Sequence, residues 1–175
     1  GSCLPKDVKA LIALSKNMHI PLPIVEAVDN VNERQRRRFF EQILGVLPAK
    51  ATVGVWGLGF KPKTDDMRDA PSLDLIPLLL QHGHRVVAFD PAAMENARKL
   101  LPPDVRYADA PLDAARGADA VVLLTEWDIF RGLDFNALKR TMNGAHLFDG
   151  RNVYEPAEVT RAGLSYHGIG LGAPV

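Results

Sequence analysis

Apolar residues fall along the chain in two different rhythms. Up to about residue 46 they recur every three or four positions, with Val25, Val28, Val31, Phe39, Ile43 and Leu44 as the main series. That spacing predicts helix. Val8–Leu14 is read as a first helix, with Gly1–Asp7 a loop braked by Pro5 and Asp7 at the N-cap. His19–Pro23 breaks it. A second helix is expected from Ile24 to Val46, with a polar middle at Asn30–Arg38 too charged for the core of a monomer. Pro48-Ala49-Lys50 reads as a linker. Beyond it, short apolar runs alternate with helical patterns.

The predicted strands are Thr52–Trp56, Arg85–Phe89, Val105–Ala108, Ala120–Leu124, His146–Phe148 and Ser165–Ile169. The predicted helices between them are Leu73–Gln81, Met94–Leu101, Leu112–Arg116, Leu138–Met142 and Pro156–Ala162. Pro77 would lie near the start of its helix or mark a kink, and Gly83 would end it. Ala120–Leu124 is wholly apolar, as a strand buried on both faces requires. This alternation argues for a parallel, Rossmann-like sheet. In such a sheet the ligand sits at the carboxyl ends of the strands, so the polar loop Phe60–Pro71 is the first place to look.

Composition narrows the picture. The chain has 175 residues, 47% hydrophobic, and Lys+Arg and Asp+Glu balance at 21 each. A neutral chain implies no nucleic-acid partner. No apolar run reaches the roughly 18 residues of a membrane span. One cysteine leaves no internal disulfide and fits a reducing, cytoplasmic setting. The chain does not begin with Met, so it is treated as a possible fragment, and Gly1-Ser2 alone could be a cloning remnant.

The candidate chemistry has competing readings at each site. Gly57-Leu58-Gly59 after a strand, with Asp90 ending the next, is half of a dinucleotide fingerprint. In that reading Asp90 holds a ribose hydroxyl. Pro62 stands where the third glycine would be, and the alternative is a glycine turn plus an Asp-Pro turn. Lys61, Lys63 and Arg68 form either a solvated connection or a phosphate site. Arg151, after another strand, adds a cation at the same sheet edge. Cys3 is either an inert residue or a thiol activated by a helix start and Lys6, with Asp7 four residues on. Trp127 and Phe130 are assigned to the core. The five histidines have no metal-ligand spacing.

Several segments carry a resemblance. They are Gly1-Ser2-Cys3-Leu4-Pro5-Lys6-Asp7, Gly59 to Ser72, Thr125-Glu126-Trp127-Asp128, Arg151-Asn152-Val153-Tyr154 and Ala162 to Gly170. Together the chain resembles the C-terminal portion of members of the UDP-glucose/GDP-mannose dehydrogenase family. The resemblance implies an α/β fold: a long helical dimerisation segment followed by a Rossmann-like parallel-sheet UDP-binding domain. Residues 1–48 would be the catalytic-cysteine loop and central dimerisation helices, and residues 49–175 the nucleotide-sugar domain. An N-terminal NAD domain would be absent from this chain, and Gly1-Ser2 would be native.

The resemblance also implies roles. Cys3 would be the nucleophile and Asp7 would help place water. Phe60, Lys61 and Arg151 would bind substrate, while Lys6 and Arg68 would contact the cofactor NAD. The substrate would be UDP-glucose, oxidised to UDP-glucuronate in two hydride transfers by a homodimer. The wording of Met67–Ser72 and of Asn152–Pro156 favours UDP-glucose over GDP-mannose. The fragment alone would be inactive, a nucleotide-sugar binding or dimerisation module. Leu171 departs from the family, where many bacterial relatives have arginine.

Overall fold

A computed structural model describes residues 3–172, with Cys3 described by its backbone alone. The chain forms two compact units, Gly1–Gln42 and Ile43–Val175.

The first unit is helical. Helix α1 spans Cys3–Met18 and α2 spans Pro23–Val46. The expected loop at Gly1–Asp7 is therefore corrected: the helix already runs from Cys3, and Asp7 lies inside it rather than capping it. Pro5 does not brake α1 because it sits in the first turn, where its missing N–H has no intrahelical acceptor to lose. At the other end, His19 takes a left-handed φ of 55°. The N–H groups of His19 and Ile20 donate to the Lys16 and Ser15 carbonyls, at 3.2 and 3.0 Å. This pair of bonds closes the last turn, and Pro21 follows where the helix cannot continue. Leu4, Leu11, Leu14 and Met18 on α1 are exposed, as are Ile24, Val28 and Val31 on α2. Steps of three, four and seven put each set on one helical face.

The second unit is a six-stranded sheet. Its strands are β1 (Thr52–Trp56), β2 (Arg85–Phe89), β3 (Arg106–Tyr107), β4 (Ala120–Leu123), β5 (His146–Asp149) and β6 (Ser165–Gly168). Every pairing is parallel and the order is β3-β2-β1-β4-β5-β6. β1 and β4 are the central neighbours where the order reverses, the point at which open α/β sheets bind ligands. The helices are α3 (Ser72–Gln81), α4 (Met94–Leu100), α5 (Pro111–Ala114), α6 (Asp128–Arg131), α7 (Phe135–Thr141) and α8 (Pro156–Arg161). Helix α6 was not anticipated, because four residues carry too little periodicity to register. Pro77 is the sixth residue of α3, past the first turn. The carbonyl of Leu73 therefore loses its usual donor. Gly83, with φ 79°, closes α3 as expected.

The core explains the strand patterns. β4 is buried at all four positions, between layers on both faces. Trp56 stacks on Phe130 at 5.5 Å and donates its indole N–H to the Pro111 carbonyl at 2.9 Å. A Cβ on Gly54 would lie 2.7 Å from the Ala114 carbonyl oxygen, so glycine lets α5 rest directly on β1. No described helix is long and apolar enough to cross a membrane.

Candidate functional site

Two buried aspartates shape the carboxyl edge of the sheet. Asp90 directly follows β2 and has no exposed surface. Its Oδ2 accepts from the N–H groups of Leu58 (2.7 Å) and Gly59 (3.2 Å) and from the Trp127 indole (3.3 Å). Its Oδ1 accepts from Ala92 and Ala93, each at 2.8 Å. Five donors fill this carboxylate, so a ribose hydroxyl has no acceptor there. Of the two readings of Asp90, the structure supports the turn-forming one. Trp127 packs half-buried against the core at this edge, and its indole N–H serves the aspartate.

The glycine turn itself is closed. Gly57 has φ 85°, and a Cβ there would meet the Thr125 Cβ at 2.5 Å. Thr125 donates its hydroxyl to the Gly59 carbonyl, and Ser72 donates to the Leu58 carbonyl at 2.6 Å. The turn is thus packed against the ends of β2 and β4 and the start of α3.

Asp149 does the same work at the end of β5. It is fully buried and accepts from the N–H groups of Arg151 (2.9 Å), Val153 (2.8 Å) and Tyr154 (3.1 Å), and from the Tyr166 hydroxyl (2.9 Å). Burial first, then the Asp149 charge, raises the pKa values of Tyr154 and Tyr166. Both phenols therefore stay neutral donors. Asn152, at φ 51°, binds the Ile169 backbone through both ends of its amide, at 2.8 and 2.9 Å. The chain turns outward between Asp149 and Asn152, and Arg151 stands on that turn.

Arg151 reaches back across the switch point. Its Nε donates to the Leu124 carbonyl at 2.7 Å and its Nη2 to the Phe60 carbonyl at 3.1 Å. Glu126 Oε2 lies 3.2 Å from Nε. Nη1 makes no hydrogen bond among the described residues. One guanidinium thus joins the loops that follow β1, β4 and β5. The Phe60 N–H bonds the Asp66 carbonyl at 2.8 Å and closes the intervening loop, with Lys63 at φ 61°. Lys61 is exposed on that loop and has no hydrogen bond or ion pair among the described residues.

Arg68 sits farther along the same loop. Its guanidinium forks onto Asp66, with Nε–Oδ1 at 3.0 Å and Nη2–Oδ2 at 2.8 Å. These bonds, with the Arg68 backbone N–H, hold the Asp66 pKa down at about 2. Arg68 also lines an open groove of about 470 Å³ with Asn96 and Lys99.

The structure therefore brings Phe60, Lys61 and Arg151 to one sheet edge, with Arg68 on the same loop. Lys6 and Asp7 lie on α1 in the other unit, exposed and 3.5 Å apart. The side chain of Cys3 lies outside the described residues. No cluster of three potential metal ligands occurs among the described residues. Sequence reasoning gave no role to Glu126, Thr125 or Asp149. The available signals were that each stands at or just after a strand end, and that Thr125 and Glu126 lie in a segment that carries the resemblance.

Residues 54–156 match the UDP binding domain of the UDP-glucose/GDP-mannose dehydrogenase family, and residues 1–34 match its central domain. The chain belongs to this family. It is 44% identical to the UDP-glucose 6-dehydrogenase of Pseudomonas aeruginosa over 97% of its own length and 39% of that protein's. The corresponding figures for the Rhizobium meliloti UDP-glucose 6-dehydrogenase are 41%, 97% and 39%. The solved UDP-glucose dehydrogenase of Pyrobaculum islandicum superposes with a TM-score of 0.81 at 35% identity, over 98% of this chain and 38% of that one. This family chain spans about two fifths of the length of the relatives it matches. Its sheet unit carries the UDP-binding part of the resemblance.

Proposed function

We propose that the sheet unit binds the uridine diphosphate half of UDP-glucose, and that the chain serves a dehydrogenase that oxidises this sugar to UDP-glucuronate. The observation that carries the reading is the Arg151 guanidinium. It is anchored on two carbonyls at the sheet's switch point, with its Nη1 edge unpartnered and Lys61 on the adjoining loop. Two cations at the carboxyl edge suit a diphosphate: arginine offers a fork and lysine a point charge. Phe60 holds the shared corner through its carbonyl.

For the chemistry, Cys3 is proposed as the nucleophile. An aldehyde has no alkoxide from which to lose a second hydride. Addition of the Cys3 thiolate to the aldehyde carbon gives a thiohemiacetal whose carbon carries that hydride, and its oxidation leaves a thioester. Water, placed by Asp7, opens the thioester and returns the thiol. NAD is the proposed acceptor of both hydrides, and Lys6 and Arg68 are the residues of this chain assigned to it. Both are exposed cations able to meet a phosphate, whereas the filled Asp90 leaves the β1 turn without a ribose acceptor.

A homodimer is the proposed assembly. The exposed faces of α1 and α2 support it, since seven large apolar side chains there would gain from cover. Calorimetric titration with UDP, UDP-glucose, GDP and GDP-mannose tests the ligand. Saturable binding of the uridine ligands alone is expected, whereas tight GDP-mannose binding with no UDP response would overturn the assignment. In a full-length protein, Cys3→Ser is expected to abolish net formation of the acid.

A further inference from the structure

Glu126 has no role in the reading above, yet its carboxylate is placed unusually. Its Oε2 lies 3.2 Å from Arg151 Nε, and the two side chains are 33% and 30% exposed. That oxygen is itself buried and accepts no hydrogen bond, because the Nε–H already points to the Leu124 carbonyl at 2.7 Å. The contact is therefore one of charge and not of a shared proton. A buried carboxylate oxygen without a donor is costly unless a nearby charge compensates it. Here it faces the inner edge of the guanidinium, the edge turned away from Nη1. Leu124 and Glu126 are two residues apart, so one short segment after β4 supplies both holds on Nε.

A surface arginine ordinarily samples many rotamers, and ordering it on ligand binding weakens affinity. Three holds on one edge remove that freedom before a ligand arrives. Glu126 also repels an incoming anion. The anion would meet the opposite edge, however, with the delocalised cation between the two negative charges, and solvent screens the longer interaction.

We propose that Glu126 is a positioning residue for nucleotide recognition. Its charge fixes the Arg151 guanidinium with the Nη1 edge outward, preorganised for the diphosphate of a nucleoside diphosphate. The proposal rests on the uridine diphosphate reading of this edge and adds the residue that prepares it.

The test uses the whole 175-residue chain. The Nε–H signal of Arg151 is assigned in a ¹⁵N spectrum by its loss in Arg151→Lys. Glu126→Gln preserves shape but removes charge. It is expected to move that signal toward solvent-exposed arginines and to speed its exchange with water several-fold. UDP affinity should fall about fivefold with Arg151 present, near the upper range for a partly exposed ion pair. In the Arg151→Lys background the same change should be less than twofold, and Glu126→Asp should restore part of the loss. An unchanged Nε–H signal, tighter UDP binding by Glu126→Gln, or equal losses in both backgrounds would overturn the positioning role while leaving the UDP reading intact. Failure of the unaltered chain to bind UDP would remove the ligand from both proposals.

Discussion

The helical unit and the sheet unit solve the burial problem in opposite ways. In the sheet unit nearly every large apolar side chain on the strands is covered, and the buried aspartates at the strand ends have all their acceptors filled. In the helical unit Leu4, Met18 and Ile24 are 73%, 59% and 80% exposed. The sheet closes its own core; α1 and α2 present apolar faces that their own chain leaves in water. Such faces are a normal cost for an interaction surface and an unusual one for a finished domain. The difference teaches where each kind of function resides. In the proposed reading, ligand recognition belongs to the sheet edge, and the exposed helix faces are the proposed dimer surface.

The sharpest way to break this contrast is at the saturated carboxylates. Asp149→Ala orphans three backbone N–H groups and the Tyr166 hydroxyl at once. A loss of about 3 kcal/mol or more is expected from the unfolding free energy in urea. A loss under 1 kcal/mol would mean that the sheet edge is not held as described. A smaller effect is expected on the helices. Ile24→Glu with Val28→Glu should lower the sedimentation mass of any self-associated species, with the melting of the sheet core unmoved. Loss of the sheet's melting transition in that variant would contradict the division.

A further effect concerns pH. His167 is buried, stacked on Phe148 at 4.2 Å, and 3.1 Å from His146. Burial, with His146 second, pulls its pKa from 6.5 down to about 4. The unfolded chain therefore takes up a proton before the folded chain does. The His167 contribution should be constant above pH 7, cost stability as pH drops from 6.5 toward 4, and change little below that. His167→Phe should flatten that slope. A slope unchanged by the substitution would assign the acid sensitivity elsewhere.

Much of the sheet was legible because parallel strands buried on both faces leave short, uniformly apolar runs. Thr52–Trp56 and Arg85–Phe89 were read to the residue, although Thr52 and the exposed Arg85 open them with polar side chains. The start of α1 was misread because Asp7 fits an N-cap and Pro5 a brake, and only backbone geometry shows that the helix begins before both. Phe60, Lys61 and Arg151 were legible as strand-end residues. Their shared sheet edge was legible too, but the direct Arg151–Phe60 bond was not, since it spans 91 positions in sequence. Asp90 was ambiguous for the same reason: its five donors come from segments on either side of it and from Trp127. Glu126 was legible only as part of the Thr125–Asp128 segment, because its place beside Arg151 leaves no mark in a single sequence.

The central claim is that the cationic sheet edge around Arg151 recognises uridine diphosphate. The most direct measurement is the UDP dissociation constant of the chain against that of Arg151→Ala, with thermal melting of both. The account predicts saturable binding that weakens at least tenfold in Arg151→Ala, equivalent to about 1.4 kcal/mol, with little change in melting. Equal UDP affinity in the two folded proteins would contradict it.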